Sequence, residues 1–177
     1  MTSLDEIKSE FETITGIAKS TQISKEKVRS WLQSQDLEVL GAVHCLIMDK
    51  TIYLRIQPQL SIEDYHLFSM HYLGRCIREN PDGEWAESRY LAGGTLVNWF
   101  VHLWNDKAVP RHIVKELKDW LAKLYREGNE EIRTAIITAT LEHLFEHKKI
   151  AKYFEDWRND PILGSAYDEA LGYAKKY

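Results

Sequence analysis

Between Pro110 and Gly128 the apolar residues Ile113, Val114, Leu117, Trp120, Leu121 and Leu124 recur every three or four positions, and similar stripes fill the chain beyond Pro58. Such a pattern stabilises a helix only if the apolar face is buried against a neighbour, so successive stripes joined by short connections predict antiparallel helices packed as an array or bundle. Pro110 suits the first turn of this helix and Gly128 its end. Ser61 starts another, carrying Ile62, Tyr65, Leu67, Phe68, Tyr72, Leu73 and Ile77, which stops at the turn Asn80-Pro81-Asp82-Gly83. A third is predicted from Trp85 to Trp104, with Gly93-Gly94 in its middle. Each glycine costs a helix interior about 1 kcal/mol relative to alanine, so the pair implies a close helix crossing or a bend. Further helices are predicted over 130–147 and around Ile150, Phe154 and Trp157. Asp160-Pro161 opens the last, which reaches about Lys175.

The N-terminal part reads differently. Ser3-Leu4-Asp5-Glu6 has the form of a capping box ahead of Leu4, Ile7, Phe11 and Ile14, and Ser24 caps a second helix bearing Val28, Trp31 and Leu32. From Leu37 to Gln57 the composition shifts to Val, Ile, Leu, Thr and Tyr on both sides of Asp49-Lys50, which predicts two strands joined by a tight turn. The expected fold is mainly α: a helical array or bundle over 58–177, with N-terminal helices and one β-hairpin over 1–57 packed on it.

Charge narrows the function classes. The 177-residue chain has a formal charge of −4, and its first 36 residues carry five basic and six acidic side chains, so neither the whole nor a helix-hairpin module offers the basic field that phosphate binding requires. Nucleic acid and membrane are not expected partners. Met1–Glu10 has no apolar signal core, and Leu40–Met48 is too short to span a bilayer, so a cytoplasmic location is expected. Cys45 and Cys76 are expected to be buried, reduced thiols.

One segment has the form of a chemical motif. His143-Leu144-Phe145-Glu146-His147 fits the H-x-x-E-H pattern, in which two histidines one turn apart ligate zinc and the glutamate acts as base. A third ligand would have to come from elsewhere, with Glu155, Asp156, Asp160, Asp168 and Glu169 as candidates. Against this, His143 continues the stripe of Ile132, Ile136 and Ala139, which predicts a histidine at the core edge. Glu142 and Glu146 form a like-charged pair one turn apart, unfavourable unless Lys149, a neighbouring arginine such as Arg89, or a basic partner compensates. Asp82, Glu84 and Glu87 flank Trp85 in a second acidic cluster, for which the positive end of a helix dipole is the favoured explanation. Trp31, Trp99, Trp104, Trp120 and Trp157 fall on predicted apolar faces. No Walker loop, G-x-G-x-x-G, G-x-S-x-G or paired C-x-x-C is present.

The phrases Ile56-Gln57-Pro58, Cys76-Ile77-Arg78-Glu79, Glu84-Trp85-Ala86-Glu87-Ser88-Arg89-Tyr90, Trp99-Phe100, Leu103-Trp104, Trp120-Leu121, Leu141-Glu142-His143-Leu144-Phe145-Glu146 and Phe154-x-x-Trp157 cover about two thirds of the chain. Together they resemble all-helical bacterial proteins associated with immunity to polymorphic toxins. The resemblance implies a non-enzymatic, cofactor-free inhibitor that covers a cognate toxin, basic if it is a nuclease. Asp82, Glu84, Glu87, Glu142 and Glu146 would supply charge and Trp85 an anchor. The rival reading is a zinc-dependent hydrolase with His143 and His147 as ligands and Glu146 as base.

Overall fold

The computed structural model describes residues 4–16, 22–79, 82 and 85–175, and its architecture is mainly α. Ser3, Asn80, Pro81, Gly83 and Glu84, to which the first capping box, the turn and one partner residue were assigned, lie outside the described residues. The chain divides into two compact units, Met1–Tyr72 with Pro81–Glu87, and Leu73–Asn80 with Ser88–Tyr177. The division falls inside helix α5 (Ile62–Glu79), whereas the sequence suggested a boundary at 57/58.

In the first unit, α1 (Leu4–Gly16) and α2 (Lys25–Leu32) pack against α3 (Leu37–Met48), which is followed by the short α4 (Lys50–Tyr53). Ser24 Oγ accepts from the Lys27 N–H as the predicted cap of α2. The hairpin expected over 37–57 is not formed. Asp36 caps α3 through the Glu38 N–H, and Asp49, placed by the sequence in a β-turn, caps α4 through the Thr51 N–H. Val39, Leu40, Ala42 and Val43 are all fully buried, so α3 is apolar around its circumference and lacks the one-sided stripe that identifies a helix. The β structure is instead a parallel pair, β1 (Ile23–Ser24) with β2 (Ile56–Gln57).

The second unit contains α6 (Arg89–Asn105), α7 (Arg111–Glu127), α8 (Glu130–Ala135), a π-helical stretch (Ile136–Leu141) and α9 (Glu142–Phe145). It closes with α10 (Lys148–Tyr153), a 3₁₀ turn (Glu155–Asn159) and α11 (Leu163–Ala174). Its core joins Phe100, Phe145, Phe154, Trp157 and Tyr167, with Phe154 at 5.5 Å from Phe100 and 5.0 Å from Trp157 between ring centroids.

The paired glycines have separate roles. A Cβ on Gly93 would lie 2.7 Å from Ala139 Cβ, and Thr140 Oγ1 donates to the Gly93 carbonyl at 3.3 Å, so Gly93 makes the close crossing with the π stretch. A Cβ on Gly94 would meet nothing within 4 Å. Trp120 lies against Gly74 in the same way, its Cζ2 2.7 Å from where a Cβ would stand. Trp31 and Trp157 are buried, as their apolar faces predict, while Trp99, Trp104 and Trp120 are half-buried.

Candidate functional site

The H-x-x-E-H segment does not form as a helical motif. Helix α9 stops at Phe145, and His147 leaves helical geometry (φ −87°, ψ 97°) to become the N-cap of α10. His143 Nδ1 lies 2.9 Å from Glu146 Oε1, so the presumptive base contacts one of the presumptive ligands. Among the described residues no group of three or more His, Cys, Asp or Glu side chains is placed to hold a metal ion. The third ligand that a catalytic zinc site requires is therefore not provided there.

The π stretch explains why His143 is exposed instead of lying at the core edge. Widening the helix from i→i+4 to i→i+5 bonding delays the apolar stripe, so Ile132 and Ile136 are followed inward by Thr140, Leu141, Leu144 and Phe145. His143 is displaced to the surface, with 51% of its side chain accessible.

Glu142 and Glu146 remain one turn apart, the Glu146 N–H donating to the Glu142 carbonyl. The compensation expected from Arg89 is absent. Its guanidinium, largely buried, donates to the Ile77 carbonyl at 2.7 Å and to Glu131 Oε2 at 2.9 Å. Neither Lys149 nor Arg89 forms an ion pair with Glu142 or Glu146 among the described residues. A further acid lies close by: Tyr173 of α11 donates to Glu169 Oε1 at 3.1 Å. That hydrogen bond, with the charge of Glu169 and then of Glu142, raises the Tyr173 phenol above its ordinary pKa. The sequence reading missed Tyr173 and offered Glu169 only as a candidate third ligand, since their i, i+4 spacing within α11 carries no mark of their neighbours on α9.

The second acidic cluster belongs to the first unit. Helix α6 is capped by Ser88, so Asp82, Trp85 and Glu87 precede it and do not occupy its first turn as the sequence suggested. The Trp85 and Ala86 N–H groups donate to Glu38 Oε2, and the Trp85 carbonyl lies directly over Gly41. Trp85 is half-buried beneath the Lys8 ammonium, 5.5 Å from the ring centroid. Glu87 turns inward: its N–H donates to Tyr72 Oη at 2.9 Å, and Oε1 lies 3.5 Å from His44 Nδ1. Burial lowers the His44 pKa to about 4, so the imidazole is neutral near pH 7. Asp82 is exposed. Cys76 is buried as expected, but Cys45 is exposed at the surface; neighbouring protein still desolvates its thiol in part, and this, then the Glu87 charge, raises its pKa, so it is not a ready nucleophile.

An open groove of about 590 Å³ lies elsewhere in the second unit, lined by residues that include Lys115, Lys118, Asp119, Tyr153 and Asp156. Its cations are largely paired, Lys115 with Asp119 and Lys118 with Asp156, so it lacks the convergent unpaired groups of a catalytic pocket. No helix among the described residues is long and apolar enough to cross a membrane. Comparison with known proteins finds no matching family model, no similar curated protein and no similar solved structure.

Proposed function

We propose that this chain is an immunity protein that neutralises a cognate toxin by stoichiometric contact and catalyses no reaction. The observation that supports the reading is the acidic pair Glu142 and Glu146, which keeps like charges one turn apart and, among the described residues, meets no lysine or arginine, only the exposed His143 imidazole against Glu146. Like charges kept together on a surface cost the free protein a few tenths of a kcal/mol, a cost that a basic partner reverses on binding. Glu169, hydrogen-bonded by Tyr173, extends the same negative patch and sets an aromatic ring beside it. Trp85 and Asp82 are a second candidate contact, to which the sequence adds Glu84, outside the described residues, whereas the inward-turned Glu87 contributes by fixing that segment. In this reading the acidic groups accelerate encounter and the aromatic groups slow dissociation. The toxin acts in the cytoplasm, where its inhibitor is expected to reside.

Co-expression tests this directly. The chain is produced in cells together with the C-terminal domain of any large, toxin-like reading frame that sequencing finds beside its gene. Restored growth and a co-eluting complex are expected. The double charge reversal Glu142→Lys with Glu146→Lys should slow association about tenfold or more without changing the far-UV circular dichroism. Equal killing with and without the chain, or separate elution of the two proteins, would overturn the proposal.

A further inference from the structure

The groove lined by α7, α10 and the 3₁₀ turn is built on a buried ammonium. Lys118 Nζ, on a side chain only 8% exposed, donates to the Tyr153 carbonyl at 2.7 Å and to Asp156 Oδ1, and lies 4.6 Å from the Tyr153 ring centroid. These contacts fasten one wall to the other, so the groove is formed before anything enters it and a ligand need order little of the protein. Its volume of about 590 Å³ is in the range of small-molecule sites.

The charges in the groove are of two kinds. Lys118 and Lys115 are engaged, by Asp156 and Asp119. Lys152 in α10 and Glu155, three residues on, are not: their side chains form no hydrogen bond or ion pair among the described residues, with each other or with any other group. The Asn159 amide on the same wall is free in the same sense. One unpaired cation, one unpaired acid and an unused amide therefore face a single preformed space.

The balance of charge decides what can enter. The lining holds three lysines and three acids. An anion such as phosphate would be drawn to Lys152 but repelled by Glu155 and the two aspartates, and a simple cation would meet the reverse. A molecule with one charge of each sign answers both free groups and meets no net field.

We propose that this groove binds a zwitterionic α-amino acid with an apolar side chain, its carboxylate on Lys152, its ammonium on Glu155, and its side chain against the half-exposed Tyr153 ring. Asn159 supplies a further hydrogen bond. The site binds without catalysing, and it stands independently of the immunity reading.

An NMR titration of the isotope-labelled full chain with L-phenylalanine tests this. Saturable shifts are expected at the amides of residues 152–159, with a Kd of about 1 mM, the size suited to a ligand of about a dozen heavy atoms. Hydrocinnamate, which lacks the ammonium, and phenethylamine, which lacks the carboxylate, should each bind about tenfold more weakly or worse. Lys152→Ala and Glu155→Ala replace exposed side chains with no internal partner, so both should keep the fold and each should weaken L-phenylalanine about tenfold. Lys115→Ala removes a cation already paired with Asp119 and should change the affinity less than about twofold. Shifts that fail to saturate by about 20 mM would refute the proposal. So would an analogue that binds as well as L-phenylalanine, or a loss in Lys115→Ala equal to that in Lys152→Ala, which would mark a general charge effect.

Discussion

At the scale of single residues, His44 shows how burial alone sets a charge state. It lies on α3, with ring centroids 4.9 Å from Tyr72 and 6.2 Å from Phe68, and its Nε2 is buried. Its pKa is about 4 in the folded chain against an ordinary 6.5, so between these values the unfolded chain binds a proton that the folded chain refuses. His44 therefore disfavours folding progressively as pH falls through that window, and the loss is absent above 6.5. At about 1.4 kcal/mol per pKa unit the cost by pH 4 is at most about 3 kcal/mol, reduced by the Glu87 carboxylate that would meet the imidazolium. Denaturant melts at pH 7 and pH 5 should show a lower midpoint at pH 5, and His44→Phe should flatten the difference. An unchanged wild-type midpoint would contradict the assignment. Nothing in the local sequence marks His44, because the groups that bury it come from α5, far along the chain.

At the scale of elements, the readable helices are those whose two faces differ: α7 carries no side-chain cap and is legible from its stripe, whereas α3 and α4 are capped by Asp36 and Asp49 and are not. Ser24 before α2 acts as its sequence context suggests, whereas α11 begins at Leu163 with Ile162 at its N-cap, and Asp160 and Pro161 form the turn ahead of it, Asp160 accepting from the Ile162 and Leu163 N–H groups. Two kinds of element are not legible. Helix α3 is apolar on nearly every side, so its composition fits a buried strand as well as a buried helix, and periodicity cannot decide between them. The π stretch leaves no sequence signature yet displaces every later residue of its helix by one position, which is why the stripe that reaches Ile136 correctly fails at His143. The glycine pair was legible as a packing device, but not which glycine packs. Gly93→Ala should destabilise the protein by about 1–3 kcal/mol, the typical cost of forcing a methyl group into a filled crossing. Chemical denaturation can test this, and a neutral Gly93→Ala would mean that the crossing between α6 and the π stretch relaxes freely.

At the scale of the whole molecule, acid-sensitive groups are distributed unevenly between the two units. The first holds His44, and also Asp64, whose carboxyl resists its own burial through Lys25, the Ser61 N–H and Arg29 and so titrates well below the usual range. Its contribution is present above the ordinary carboxylate pKa of about 3.9 and is lost as pH falls below it. The histidines of the second unit, His102, His112, His143 and His147, are all exposed, and none is enclosed as His44 is. Lowering the pH from 7 to 5 should therefore loosen the first unit before the second, through His44, while Asp64 remains ionised. Hydrogen exchange with mass spectrometry, corrected for the intrinsic pH dependence of amide exchange, resolves the two. Peptides from α3 should lose protection at pH 5 while those from α7 and α11 retain it, and His44→Phe should restore α3. Uniform loss across all three helices would mean that α5, which contributes residues to both units, binds them into one cooperative transition despite the separation of their packing.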